Sequence, residues 1–170
     1  MCVFIKSCDF RAIFVGIYTM LFGAYLIVGA PIVEAREYDI AGQISIPSIS
    51  LTTDVAALTL RGNRLDTPDH IAGSFSRSPH KTLIIGHSST VFQDLDNVQL
   101  GDQLQYADTD FIVTNITTLA KTEIDMNDLL TTADTDTVII MTCAGTDLGH
   151  GDATHRLLVT ATAASELSML

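Results

Sequence analysis

VIIMTCAGTDLGHGDATHRLLVTA, residues 138–161, is the stretch that decides the fold. Its first run, Val138 to Cys143, is rich in β-branched residues and carries no charge, the pattern of a buried strand. Leu157 to Thr162 has the same character, and a polar, Gly-rich loop lies between the two. Two strands joined by that loop bring Cys143, at the end of the first, beside Arg156, at the start of the second. A thiol and a guanidinium in that relation form a nucleophile and an oxyanion donor. The party still to be found is a base.

Upstream, Thr82 to His87 (TLIIGH) is another apolar strand, this one ending on a histidine and followed by the polar turn Ser88-Ser89-Thr90. His87, Cys143 and Arg156 thus all fall at strand edges. With these residues in view the chain resembles the sortases, membrane-anchored cysteine transpeptidases of bacterial surfaces. The resemblance rests on four pieces: Gly86-His87 at a strand end, the run Phe92, Leu95, Leu100-Gly101-Asp102, the Thr142-Cys143 ending, and Arg156-Leu-Leu-Val. It extends over roughly Ile44 to Ala161. Two positions depart from the family pattern. The nucleophile strand of the family reads T-L-x-T-C, whereas Ile139 and Ile140 hold its first two places here, and Ser88 stands where many relatives carry a basic residue. The isoleucines are strand formers, and neither departure touches the three reactive residues.

The chain has 170 residues, enough for one domain of ordinary size beyond a membrane segment. Ala12 to Val33 contains no charged residue, and at a helical rise of about 1.5 Å per residue it covers a hydrocarbon core of about 30 Å. We read it as a transmembrane anchor, since the run exceeds the core of a signal peptide and no convincing small-x-small cleavage site precedes Glu34. Lys6 and Arg11 before it, against Glu34, Arg36, Glu37 and Asp39 after it, place the N-terminus in the cytoplasm. The organisation expected is a cytoplasmic segment 1–11, an anchor 12–33, a linker 34–42, a catalytic domain 43–163 outside the plasma membrane, and a tail 164–170. Cys2 and Cys8 then lie on the cytoplasmic side and Cys143 alone in the exported domain, where no intrachain disulfide can form.

A net charge of −11 argues against a nucleic-acid partner and suits a soluble extracellular domain. The acidic residues are dispersed, with no repeat or low-complexity block. Asp108/Asp110 and Asp134/Asp136 have the oxygen chemistry of calcium ligands, but acids between strands are ordinarily turn residues. We expect no cofactor and assign no metal ligands; some sortases bind calcium near the active site, and calcium stays open here as an ion with no ligands assigned to it.

Along the exported part, Gln43 to Pro47 and Ile49 to Val55 read as strands, Ala56 to Leu60 as one helical turn, and Arg61 to Pro79 as the loop-richest segment. Lys81 to His87 is a core strand, and Val91 to Leu95 a short helix with Phe92 and Leu95 inward. Gly101-Asp102 turns the chain into strands near Gln103 to Ala107 and Asp110 to Ile116. Thr117 to Asp136 is a connection with a helical turn at Met126 to Leu130. Many short strands with few helices indicate an all-β barrel. The resemblance implies an eight-stranded closed barrel, with the Thr117–Asp136 connection as one wall of a substrate groove.

The chemistry follows from the side chains. An unperturbed thiol ionises near pH 8.5, and a nearby guanidinium favours its thiolate. Attack on a peptide carbonyl creates an oxyanion to which Arg156 donates. An imidazole such as His87 protonates the leaving amine and later takes a proton from the incoming one. His155 is the rival base, but alternation along a strand turns it and Arg156 to opposite faces. The resemblance implies cleavage of an L-P-x-T-G-like sorting motif near the C-terminus of a secreted protein, a thioester on Cys143, and transfer to an amine of the cell wall or to a pilin lysine. It also places Thr142 beside the nucleophile as a supporting, substrate-binding residue.

Each residue has a plainer reading as well: Cys143 as a small hydrophobe, His87 as a core histidine, Arg156 as the partner of one of 20 acidic residues, Thr142 as a strand former. Two further classes remain open. The L,D-transpeptidases also combine Cys, His and Arg, but their arginine follows the nucleophile almost directly, whereas Arg156 opens the next run. A non-catalytic surface-assembly module on the same fold is the other.

Overall fold

The computed structural model describes residues 38–61, 64–149 and 152–167. The expected anchor, Ala12 to Val33, lies outside the described residues; among those described, no helix is long and apolar enough to cross a membrane.

Among the described residues ten strands follow in order: β1 (Ile40–Ile46), β2 (Leu51–Ala57), the two-residue β3 (Leu60–Arg61) and β4 (Arg64–Leu65), β5 (Ala72–Ser78), β6 (Lys81–Ile85), β7 (Gln103–Tyr106), β8 (Thr109–Ala120), β9 (Thr137–Gly149) and β10 (Asp152–Ala163). Helices are short: α1 (Met126–Leu130), α2 (Ala164–Leu167) and single 3-10 turns at Pro47–Ile49, Leu95–Asn97 and Lys121–Glu123. Eight strands close into a barrel in the order β1-β2-β5-β6-β9-β10-β8-β7, and β3-β4 form a separate ribbon. The expected all-β class and eight-stranded closed barrel are therefore observed. Two pairs are parallel, β2 with β5 and β6 with β9; the rest are antiparallel.

Why β9 reads as an unbroken apolar run is now plain. Val138 and Ile140 point into the barrel, where they meet Ile44, Ile84, Leu104, Val113, Val159 and Ala161. Ile139 points the other way, into a second cluster with Leu83, Leu158 and Leu130 of α1, against which Phe75, Ile85, Leu119 and Met141 pack. A strand covered on both faces loses the alternation of a half-exposed one. The outer cluster stops at Met141, and beyond it the outer face opens.

The structure corrects four local expectations. Ala56 does not begin a helical turn: β2 continues to Ala57, held between β1 and β5, and so short a segment cannot nucleate a helix alone. The segment Arg61 to Pro79 is not mostly loop, because Ala72–Ser78 is a barrel strand. Its composition, AGSFSRS, has weak strand propensity, but pairing on both sides overrides it, and the Leu58 side chain lies where a Cβ on Gly73 would be. Val91 to Leu95 forms turns leading into the Leu95–Asn97 3-10 helix rather than a helix of its own, although Phe92 and Leu95 are buried as expected. The connection after β8 starts at Lys121, not Thr117, since Thr117 to Ala120 still pair with β10. The helical turn at Met126 to Leu130 is present, started by Asp125, whose side chain accepts from the Asn127 backbone N–H at 2.8 Å.

Turns fix the register. Ala107 and Asp108 join β7 to β8 with φ of 47° and 65°, the double left-handed conformation of a tight hairpin, adopted here without glycine or asparagine. Ahead of β7, Gly101 takes φ 89°, and Asp102 accepts from Gln99 N at 2.9 Å and from Ser48 Oγ at 2.7 Å. Asp108 is thus a turn residue, and Asp136 lies 2.7 Å from His80 Nδ1.

Two outcomes are expected. Left-handed backbone costs an L-residue about 1–2 kcal/mol, so Ala107→Asn with Asp108→Gly should stabilise the domain by about 1 kcal/mol in urea unfolding. The hydrogen bonds from Gln99 and then Ser48 hold the Asp102 carboxyl below its ordinary value of 3.8. A depressed folded value means stability that is present above the unfolded pKa and lost as pH falls through the folded one. Asp102→Asn should therefore lower the thermal midpoint at pH 7, and the difference should shrink below about pH 4.

Candidate active site

At its open end the outer face of β9 carries Cys143, which is in no disulfide and is partly buried. Period-two alternation places it on the face of Ile139 and Met141. In the antiparallel pair with β10, Arg156 stands directly opposite Cys143, and Leu158 opposite Met141. On the other side of β9 the parallel strand β6 runs level with it, Ile85 opposite Met141. The chain leaves β6 through Gly86 to His87, which continues the face of Leu83 and Ile85. Three strands that are neighbours in the barrel thus present one side chain each at the same level.

Gly86 is needed here for space. A Cβ on it would come within 2.6 Å of the Phe92 ring, and Phe92 is itself tied back by a bond from its N–H to the His87 carbonyl at 3.0 Å. The turn holding His87 is therefore packed from beneath by an aromatic ring. Thr142 faces the barrel interior, with 4 % of its surface exposed, and its hydroxyl donates to the Gly86 carbonyl at 2.8 Å. It fastens the end of β9 to the His87 turn, while other atoms of the residue border the groove.

His87, Cys143 and Arg156 line a groove of about 670 Å³. Away from them its walls are mostly apolar: Leu60 and Leu65 of the β3-β4 ribbon, Phe75, Ile85, Met141, and Met126 with Leu130 of α1. The connection between β8 and β9 thus forms one wall, as expected. The ribbon opposite was not legible in sequence, because two-residue strands leave no pattern. A smaller cavity of about 280 Å³ adjoins Cys143 and His87 on the other side, with Ser88, Ser89, Asp147 and Asp152 at its edge.

His155 lines neither space. It turns to the other face, as alternation requires, with Nδ1 2.8 Å from Thr154 Oγ1. The groove-side histidine, His87, is about one-third exposed, and its Nε2 lies 3.8 Å from Asp69 Oδ1. Arg156 is 15 % exposed. Its Nη1 donates to the carbonyls of Ala153 and His155, both at 2.9 Å, and its Nη2 donates to Asp152 Oδ1 at 2.6 Å. Asp152 also pairs with Lys121 Nζ at 2.5 Å. Lys121 first, and Arg156 second, hold the Asp152 carboxyl well below the usual carboxylate range. No pattern in the sequence announced Asp152, although its place four residues before Arg156 was there to be weighed. Among the described residues, no three His, Cys, Asp or Glu side chains converge as a metal-binding group.

Solved structures share this fold. Sortase A of Corynebacterium diphtheriae, as a lid mutant, superposes with a TM-score of 0.58 over 77 % of this chain and 73 % of its own, at 23 % identity. Sortase C1 of Streptococcus agalactiae is 27 % identical, with a TM-score of 0.55 over 73 % of this chain and 67 % of its own. Sortase C of Clostridium perfringens, solved with the C-terminal cell wall sorting motif, is 23 % identical, with a TM-score of 0.55 over 79 % of this chain and 75 % of its own. No curated protein matches the sequence. The model of the sortase domain matches residues 44–164, which contain all three strands of the site, and the chain belongs to the sortase family of cysteine transpeptidases.

Proposed function

We propose that this protein cleaves a C-terminal sorting motif of the L-P-x-T-G type in secreted proteins and transfers the acyl fragment to an amine. The observation that carries the reading is the juxtaposition of Cys143 with Arg156 across the β9-β10 ladder, with His87 at the end of β6, all on one apolar groove. An extended, largely apolar peptide suits that groove. The sorting-motif complex of the Clostridium perfringens relative supports the same class of substrate.

In this reading the Cys143 thiolate attacks the scissile carbonyl carbon, and the carbonyl electron pair moves to oxygen. Arg156 donates to that oxyanion. As the carbonyl re-forms, the C–N bond breaks, and His87 gives its proton to the departing amine. The product is a thioester on Cys143. An incoming amine then attacks the thioester carbonyl and passes a proton to His87. The second tetrahedral adduct collapses with the Cys143 thiolate as leaving group, which restores the starting state. The acceptor is an amine of the cell wall or a pilin lysine. Ala12 to Val33 anchors the chain in the plasma membrane, with residues 1–11 in the cytoplasm and the catalytic domain outside.

The test uses residues 38–170, an L-P-x-T-G peptide panel and triglycine, with products read by mass spectrometry. A peptide joined to triglycine is expected. Cys143→Ala should abolish it, and His87→Ala and Arg156→Ala should lower kcat/KM by roughly a hundredfold or more. Undiminished product with Cys143→Ala would refute the reading.

A further inference from the structure

We infer that Asp152 is a positioning residue, which with Lys121 behind it aims the Arg156 guanidinium at the reacting carbonyl oxygen. The inference rests on the proposed role of Arg156 as oxyanion donor. The geometry behind it is a row of charges of alternating sign leading to the nucleophile: Lys121, Asp152, Arg156, then Cys143 across the ladder.

Arginine has a long, rotamer-rich stem, and a donor to a transition-state charge acts only where its N–H groups are already aimed. Here the plane of the guanidinium is defined by three bonds on two nitrogens. Nη1 reaches two carbonyls of its own strand, at Ala153 and His155, and Nη2 reaches Asp152 Oδ1. The two carbonyls hold Nη1, and the carboxylate fixes the Nη2 edge of the same plane. Asp152 is itself held at two further points, by Lys121 Nζ and by a bond from the Ala153 N–H to Oδ1 at 2.9 Å.

The backbone is shaped for this arrangement. Between Asp152 and His155 the β9-β10 pairing shifts register twice, and opposite the shifts Gly145 takes φ 78° while Thr146 N–H donates to Thr154 Oγ1 at 3.0 Å. Bulges beside a site bend the strand and re-aim its side chains. A Cβ on Gly145 would lie 2.6 Å from His155 Nδ1 and from Thr154 Oγ1, so the bulge needs glycine for space as well as for its backbone. Lys121 opens the 3-10 turn that follows β8, next to Ala120, which pairs with His155. It too is placed by the ladder.

The outer Lys121–Asp152 pair is half open to solvent, and such a pair contributes little to folding. Its effect should appear in turnover. Asp152 is 36 % exposed and Lys121 52 %. The experiment follows kcat and KM separately for the peptide of the L-P-x-T-G panel that turns over fastest, together with thermal midpoints. Asp152→Asn and Asp152→Ala should cut kcat by roughly ten- to a hundredfold, with KM and the thermal midpoint little changed. Asp152→Glu should recover part of the loss, and Lys121→Met should show a smaller one. In an Arg156→Ala background, Asp152→Asn should cause no further loss, because its effect passes through the arginine. Wild-type kcat in Asp152→Asn, or the same fold-loss in both backgrounds, would overturn the inference while leaving the role of Arg156 standing. Full activity of Arg156→Ala, or no turnover by the unsubstituted domain, would remove that role and the inference with it.

Discussion

The β9-β10 ladder is the constraint on which the rest of the molecule depends. Its register puts Cys143 opposite Arg156, and because side chains alternate with a period of two, a slip of one residue would turn both away from the groove. The register is secured by burial on both faces of β9. Val138 and Ile140 are locked into the barrel, Ile139 into the outer cluster, and neither set can exchange with the other without opening a core. The groove begins where the outer cluster ends. The same alternation that covers Ile139 with α1 uncovers Cys143 four residues later.

Position of the histidine comes from a different source. β6 runs parallel to β9 and ends two residues short of His87, so the ladder carries the chain only as far as Gly86. The last step is set by packing and two hydrogen bonds: the Phe92 ring beneath Gly86, the Phe92 N–H on the His87 carbonyl, and the Thr142 hydroxyl on the Gly86 carbonyl. Thr142 therefore belongs to the machinery by holding two strand ends together from inside the barrel. Its neighbour Cys143, on the opposite face, lines the groove while Thr142 serves the core.

Much of this was legible in the sequence for physical reasons. Runs such as TLIIGH and VIIMTC are long enough, apolar enough and bounded sharply enough to be read as strands, and their last residues line the groove. Alternation also separated Arg156 from His155 correctly. What escaped was structure made by tertiary context. β5, with its small and polar residues, exists because β2 and β6 pair with it, and the two-residue strands β3 and β4 wall the groove with no periodicity to betray them. Asp152 escaped for a related reason: only the bulges between it and His155 reveal that an acid at the start of β10 reaches the guanidinium.

The proposed function turns on a covalent acyl bond between a sorting peptide and Cys143, which β9 presents beside Arg156 and His87. The most direct measurement is the intact mass of the domain after brief reaction with an L-P-x-T-G-type peptide in the absence of any amine, quenched in acid and mapped by proteolysis. A mass increase equal to the acyl fragment is expected, carried on the peptide containing Cys143 and released by triglycine. Cleavage of the peptide with no adduct on Cys143, or an adduct that triglycine does not release, would contradict it.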